Sequence, residues 1–409
     1  METNKIYHWD NIDVLKTFPD NSIDSIVTDP PYWLSFMGKK WDYDVPSQEL
    51  WEECFRVLKP WWHLLAFAWT RTQHRMAVRI EDAGFEIRDM IAWVYGSWFP
   101  KSHNIGKAVD KLQGDEREIV KNETRYNYPS GIVNIGQGEK KLINRVVTKG
   151  TSKYEGWGTT LKPALEPITV ARKPLSEKTI AENVLKWGTG GINIDESRVV
   201  SDTITVNRHS GYNSNSLVES TKGKWKGEQE KVSGRFPANL IHDGSDEVLE
   251  LFPISWKWNW WKPYNYAGKE YNNKDTSMFN WDKPQAPSNF NDSGSASRFF
   301  YCAKASKSER NAGLEWLETK QTAPARNYHP TVKPLKLMEY LVRLVTPKWW
   351  ICLDPFIWSW TTAVACKTLG FDFIGIEREQ EYVETANKRL ENIQKPLFPT
   401  TNNDENEWN

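Results

Sequence analysis

Apolar and polar positions in the first hundred residues switch between two periods. The run Ile23-Asp24-Ser25-Ile26-Val27-Thr28 predicts a short strand over 25–28, and from Ser47 onward Leu50, Cys54 and Leu58 recur at helical spacing. Ser47 suits the N-cap of that helix, and Lys59-Pro60 ends it. Residues 63–68 predict a fully buried strand, 70–83 a helix closed by Gly84, and 85–95 another strand. Strand and helix in alternation predict a parallel α/β sheet.

The alternation returns after Arg298. Leu337, Met338, Leu341, Val342 and Val345 place a helix over 333–345, followed by a strand over 351–353, a helix over 361–369, a strand over 371–376 and a last helix over 379–393. Between Leu112 and Ser297 the pattern dissolves into polar, Gly-, Asn- and Ser-rich sequence with short strands such as 167–171. That stretch is too long for a loop and predicts an inserted domain. The expected organisation is two catalytic parts, 1–112 and 298–395, around an insert at 113–297, with a frayed tail at 396–409.

A chain of 409 residues can bury a large core plus an accessory unit. Its 53 basic and 53 acidic residues cancel, so any nucleic-acid footprint has to be local. The stretch 140–178, with nine Lys/Arg against three Glu, is one candidate, and a merely solvated basic surface is the equal alternative. Cys54, Cys302, Cys352 and Cys366 are widely spaced and read as buried reduced thiols of a cytoplasmic protein. No apolar run predicts a membrane span, and no signal-peptide pattern or zinc spacing is seen.

Two stretches carry chemistry. Asp29-Pro30-Pro31-Tyr32 follows the first strand: a carboxylate, two prolines without backbone N–H groups and an aromatic face can hold a planar amino group. Asp354-Pro355-Phe356-Ile357-Trp358-Ser359-Trp360-Thr361-Thr362 lies between a strand and a helix. With Gly at 358 and 360 it would be a loop whose backbone approaches a ligand at a helix N-terminus. Glu377 ends the next strand, roughly 20 residues on, where a doubly wound fold offers a carboxylate to ribose hydroxyls. By itself Glu377 would read as an ordinary strand-end carboxylate.

Taken in order, these motifs resemble the β-class S-adenosylmethionine-dependent DNA amino-methyltransferases. His329-Pro330-Thr331-Val332-Lys333-Pro334 is similar to the family's further cofactor-side motif. The resemblance covers about 5–112 and 298–392, and touches the insert only in fragments such as 161–167 and 235–239. It implies a doubly wound, mostly parallel sheet of the Rossmann-like methyltransferase type with a large inserted target-recognition region. It also implies methylation of the N6 amino group of adenine at a specific sequence in double-stranded DNA, with the base flipped out.

By resemblance, Asp29 and the Pro30 carbonyl accept the two amino hydrogens, Pro31 stiffens the turn and Tyr32 stacks on the base. Asp10, Lys333, Asp354, Pro355, Phe356, Trp358, Trp360, Thr361 and Glu377 would surround S-adenosylmethionine, with Asp10 near the adenine unless it is only a surface turn. Cytosine N4 methylation is the near alternative, and an inactive DNA-binding protein of the same fold is another. Carbon-5 cytosine chemistry is set aside, because no cysteine follows proline. A cognate restriction endonuclease is a possible partner, of which one chain gives no sign, nor of oligomeric state.

Tryptophan is the compositional anomaly: its count of 23 exceeds Phe at 16 and Tyr at 15 and nearly equals Gly at 24. The resemblance implies Gly at Trp9, Trp33, Trp61, Trp62, Trp69, Trp98, Trp349, Trp350, Trp358 and Trp360. Turn chemistry independently asks for Gly in the pairs 61–62 and 349–350, each following a Lys/Pro dipeptide and preceding a strand. The expectation is a gene whose UGA codons mean Gly, rendered with a table that reads them as Trp. Aromatic platforms for base stacking would not cluster at tight turns.

Overall fold

The computed structural model describes residues 1–32, 44–96, 102–127, 141–188, 190–199, 204–208, 228–232, 234–255, 294–303, 333–358, 360–391 and 393. Trp33, Trp98, the start of the 329–334 motif and Ser359 lie outside the described residues.

Nine strands among the described residues form one sheet: β1 (Lys5–His8), β2 (Ser25–Thr28), β3 (His63–Phe67), β4 (Glu86–Val94), β5 (Leu165–Arg172), β6 (Leu240–His242), β7 (Tyr301–Cys302), β8 (Ile351–Asp354) and β9 (Asp372–Glu377). Their spatial order is β1-β9-β8-β2-β3-β5-β4-β6-β7. All neighbours pair in parallel except β5, which runs antiparallel to β3 and β4. The helices are α1 (Asn11–Lys16), α2 (Gln48–Val57), α3 (Gln73–Asp82), α4 (Ile105–Gln113), α5 (Ile180–Trp187), α6 (Asp246–Leu249), α7 (Leu335–Val345), α8 (Thr361–Leu369) and α9 (Gln380–Glu391).

Both faces of the sheet are covered, which is why its strands read as continuous apolar runs. Ile26, Leu64 and Ala66 pack with α1–α3 on one face, whereas Val27, Leu65 and Phe67 pack with α7–α9 on the other. The helix after Ser47 is as expected: Ser47 Oγ accepts from Leu50 N at 3.3 Å. The helix expected over 70–83 starts later, at Gln73, and ends before Gly84, whose φ of +104° only glycine adopts readily.

The mid-chain differs from expectation. Rather than standing apart from the sheet, residues 113–297 supply two of its strands, β5 and β6. The reason is burial: Ile168 and Ala171 are fully enclosed and Val170 nearly so, between β3 and β4. The same stretch contains α5, whose capping box joins Thr179 and Glu182, and two hairpins pairing Glu118–Asn127 with Lys141–Lys149 and Ile204–Arg208 with Glu228–Val232. Part of its basic charge turns inward. Lys173 donates to the carbonyls of Phe55 and Leu58 at 2.7 Å, and burial lowers its pKa to about 8. Cys302 is exposed, unlike the other three thiols.

Candidate active site

Because β1, β9, β8 and β2 are parallel neighbours, their carboxyl ends deliver Asp10, Glu377, Asp354 and Asp29 to one edge of the sheet. Asp10 caps α1 by accepting from Ile12 N at 3.0 Å, and its neighbour Asn11 reaches the Pro355 carbonyl at 3.2 Å. His8 pairs with Glu377, so the expected adenine-side and ribose-side acids do share one edge.

Asp354 spends its carboxylate inside the fold. Oδ1 accepts from Thr28 Oγ1 at 2.6 Å and from Phe356 N at 3.1 Å, and Oδ2 accepts from Thr362 Oγ1 at 2.6 Å. It thus fastens the loop to β2 below it and to α8 beyond it. Burial raises its pKa to about 6. Glu377 accepts from Glu379 N at 2.8 Å, and burial raises its pKa to about 7. The loop also presses on β9: a Cβ at Gly375 would stand 2.5 Å from Ile357 Cδ1, so only glycine lets the two meet. Thr361, the first residue of α8, is buried.

Asp29 is 4% exposed and Pro30 is buried, while Pro31 and Tyr32 are half-buried. Asp29 Oδ1 accepts a short hydrogen bond from the Tyr32 hydroxyl and faces Lys333 Nζ at 2.9 Å. Asp29 Oδ2 is buried and, among the described residues, without a hydrogen-bond partner. Burial pushes the Asp29 pKa above its ordinary value, with Lys333 opposing that rise and Glu166 adding to it. Burial, with Asp29 and Glu166 adding, pushes the Tyr32 phenol well above its own.

Lys333, expected beside the cofactor, is instead joined to the Asp29 turn. Glu166, from β5, carried no expected role. Its one sequence signal was an acidic residue opening the apolar run Pro167–Ala171, where a solvated carboxylate would be out of place.

The two tryptophans of the loop behave differently. Trp358 Nε1 donates to the Asp29 carbonyl at 2.8 Å, so its indole spans the two motifs. The Trp360 ring does not enter that space: it is 3% exposed within the core, with its N–H unpartnered among the described residues.

A doubly wound sheet bearing the Asp-Pro-Pro-Tyr turn and an acid-flanked loop at its carboxyl edge defines the Rossmann-like methyltransferase class. The chain belongs to the N6/N4 family of DNA methylases, whose profile matches residues 23–388. S-adenosylmethionine is the family's methyl donor.

Over 73 residues the chain is 45% identical to the type II methyltransferase M2.DpnII of Streptococcus pneumoniae, a match covering 18% of this chain and 27% of that protein. It is 22% identical to M.HindIII of Haemophilus influenzae, with 94% of each chain covered. Among solved structures, the M1.HpyAVI–SAM complex is similar at 19% identity and a TM-score of 0.38, covering 94% of this chain and 98% of that one. The cytosine-N4-specific PvuII DNA methyltransferase is similar at 14% identity and a TM-score of 0.42, covering 97% and 89%. No helix among the described residues is long and apolar enough to cross a membrane.

Of the acids at this edge, Glu377 at the end of β9 suits a nucleoside's hydroxyl groups. The loop does not suit the donor while an indole at 358 bridges it to Asp29.

Proposed function

We propose that this chain, with glycine at 358 and 360, methylates the N6 amino group of adenine at a specific sequence in double-stranded DNA. The buried Asp29 carboxylate carries the reading, with one oxygen held and the other without a partner among the described residues. An exocyclic amino nitrogen is a weak nucleophile because its lone pair is delocalised into the ring. Asp29 Oδ2 and the Pro30 carbonyl would take its two hydrogens and turn the lone pair out of that conjugation, with acceptors set before the reaction. S-adenosylmethionine, when bound, supplies an electrophilic methyl group. Because Asp29 is almost wholly enclosed, the base has to leave the helix to reach it. The mid-chain hairpins are the candidate target-recognition elements, the cytoplasm the place of action, and a cognate endonuclease the natural counterpart.

Cytosine N4 presents the same amino geometry, and the family embraces both bases. Mass spectrometry of nucleosides from DNA treated with the Gly-restored protein separates them. N6-methyladenine is expected, N4-methylcytosine would reassign the base, and neither product would overturn the reading.

Three φ values support glycine at the anomalous positions. The described non-glycine residues with positive φ are Asn4, Asn21, Trp61 (+75°), Trp349 (+70°) and Trp360 (+47°). Asn enters this region readily, whereas a bulky aromatic does not. Trp62 N bonds to Lys59 O at 3.3 Å, which puts Pro60 and Trp61 at the centre of a turn whose second central residue has positive φ, the Pro-Gly position of a type II turn. The indole N–H groups of Trp61, Trp62 and Trp360 are buried without partners among the described residues. Peptide masses of the protein from its own cells decide the point: glycine masses at 61, 349 and 360 are expected, and tryptophan masses would overturn it. In that case the bridge from Trp358 to Asp29 favours a DNA-binding protein without transferase activity.

A further inference from the structure

We propose that Lys333 and Glu166 are positioning residues for Asp29. The Lys333 ammonium, gripped between two carboxylates, pins one oxygen of Asp29 and leaves the other turned toward the target amino group. This rests on the methyltransferase reading above.

The three charged groups come from distant parts of the chain: Asp29 from the end of β2, Glu166 from β5 and Lys333 from just before α7. Lys333 Nζ stands 2.9 Å from Asp29 Oδ1, 3.0 Å from Glu166 Oε2 and 3.0 Å from the Tyr32 hydroxyl. Asp29, Glu166 and Lys333 are exposed by only 4%, 7% and 5%. Among the described residues, the groups facing this cluster are the hydroxyls of Tyr32 and Tyr95, the latter 3.4 Å from Glu166 Oε1, together with the more distant carboxylate of Asp354. Thr72 Oγ1 holds the Tyr32 carbonyl at 2.9 Å. The ammonium is therefore the cation that balances Asp29 and Glu166 among the described residues.

Such an arrangement has a direction. A buried ammonium would shed its proton, yet Asp29 and Glu166 outweigh burial and hold Lys333 above its ordinary pKa. Burial pulls Asp29 toward protonation, and Lys333 opposes it. A protonated Asp29 is a poorer acceptor and carries a donor of its own, so the chemistry needs the cation. Glu166 anchors that cation through a strand of the rigid sheet. Asp29 Oδ1 is then fully engaged, and Oδ2 is left for substrate.

The infrared spectrum of the carboxyl groups tests the clamp without requiring turnover. K333M should show protonated-acid absorption at pH 7 in excess of the parent protein's, an added band that K333M/D29N loses. In transfer assays on the Gly-restored protein, K333M should move the acid limb of the pH–kcat profile upward. E166Q should lower kcat on the order of a hundredfold, the scale of a misplaced reacting geometry. Affinity for S-adenosylmethionine should be unchanged in E166Q, and E166D should recover part of the rate. Absence of the K333M band, or an E166Q enzyme within twofold of the parent, would overturn the proposal. If the parent methylates nothing but the K333M band appears, the clamp stands and the assigned reaction fails. If the parent is active and K333M matches it in band and profile, the clamp fails.

Discussion

The indole N–H of Trp358 bonds to the backbone carbonyl of Asp29 at 2.8 Å, tying the loop before α8 to the Asp-Pro-Pro-Tyr turn after β2. Both the bond and the ring occupy ground between the two halves of the site. Replacing Trp358 with Gly removes the bridge and lets the loop backbone face a ligand. Titration calorimetry should find that W358G binds S-adenosylmethionine at least about tenfold more tightly than the unaltered chain, a gain of ~1.4 kcal/mol. The control W9G, at a residue 62% exposed, should leave affinity unchanged. Equal affinities for W358G and the unaltered chain would show that the ring does not obstruct the donor.

Stability should separate misplaced tryptophans from native ones. Trp349 has φ of +70° and is 72% exposed, so W349G relieves a left-handed backbone and gives up little packing. Relief of about 1–2 kcal/mol, less the extra unfolded-state freedom of glycine, leaves a net gain of about 0.5–1 kcal/mol. Trp51 sits fully buried in α2, and W51G should cost about 4 kcal/mol or more through the cavity and the helix penalty. Denaturant midpoints check both, and a destabilised W349G would count against glycine at that turn.

This contrast also marks what was readable along the chain. The strand of Ser25–Thr28 and the helix capped by Ser47 were legible because burial on one or both sides imposes a simple apolar pattern, and a cap needs a particular side chain. β5 was legible as a strand, but its place was not: nothing local in Pro167–Ala171 says that it enters the catalytic sheet between β3 and β4. α5 has Ile180, Val184 and Trp187 at helical spacing and a capping box from Thr179 and Glu182, but at eight residues it is too short to stand out within a polar stretch. In the site, Asp29, Asp354 and Glu377 announced themselves by standing at strand ends. Glu166 and the true neighbours of Lys333 depend on three segments meeting, and such contacts leave no local spacing to read.

Removing the Asp29 charge tests the acceptor role apart from cofactor binding. D29N keeps the size of the side chain but offers an amide in place of one acceptor oxygen, and it leaves Lys333 with Glu166 as its remaining carboxylate. In the Gly-restored protein kcat should fall by about 10²–10³, as when one preset polar group at a reacting centre is removed. The affinity for S-adenosylmethionine should hold, because the acids at the other edge of the site are untouched. An active D29N would displace Asp29 from the amino group.

Glu377 gives the site a dependence on pH whose sign is fixed. Burial raises its pKa from 4.5 to about 7, so between these values the folded chain keeps a proton that the unfolded chain has released. The stability contributed by this group is therefore complete below 4.5 and lost as pH rises through about 7, on the order of 3 kcal/mol in all. Asp354 acts in the same sense, its value raised from 3.8 to about 6. Ligand binding runs the other way, since ribose hydroxyls donate best to an ionised carboxylate. Thermal melts without ligand should thus fall between pH 5 and pH 8, while affinity for S-adenosylmethionine in the Gly-restored protein should rise over the same interval. E377Q should flatten most of the first trend and abolish the second. If E377Q keeps a rising affinity, the carboxylate that meets the ligand is not Glu377.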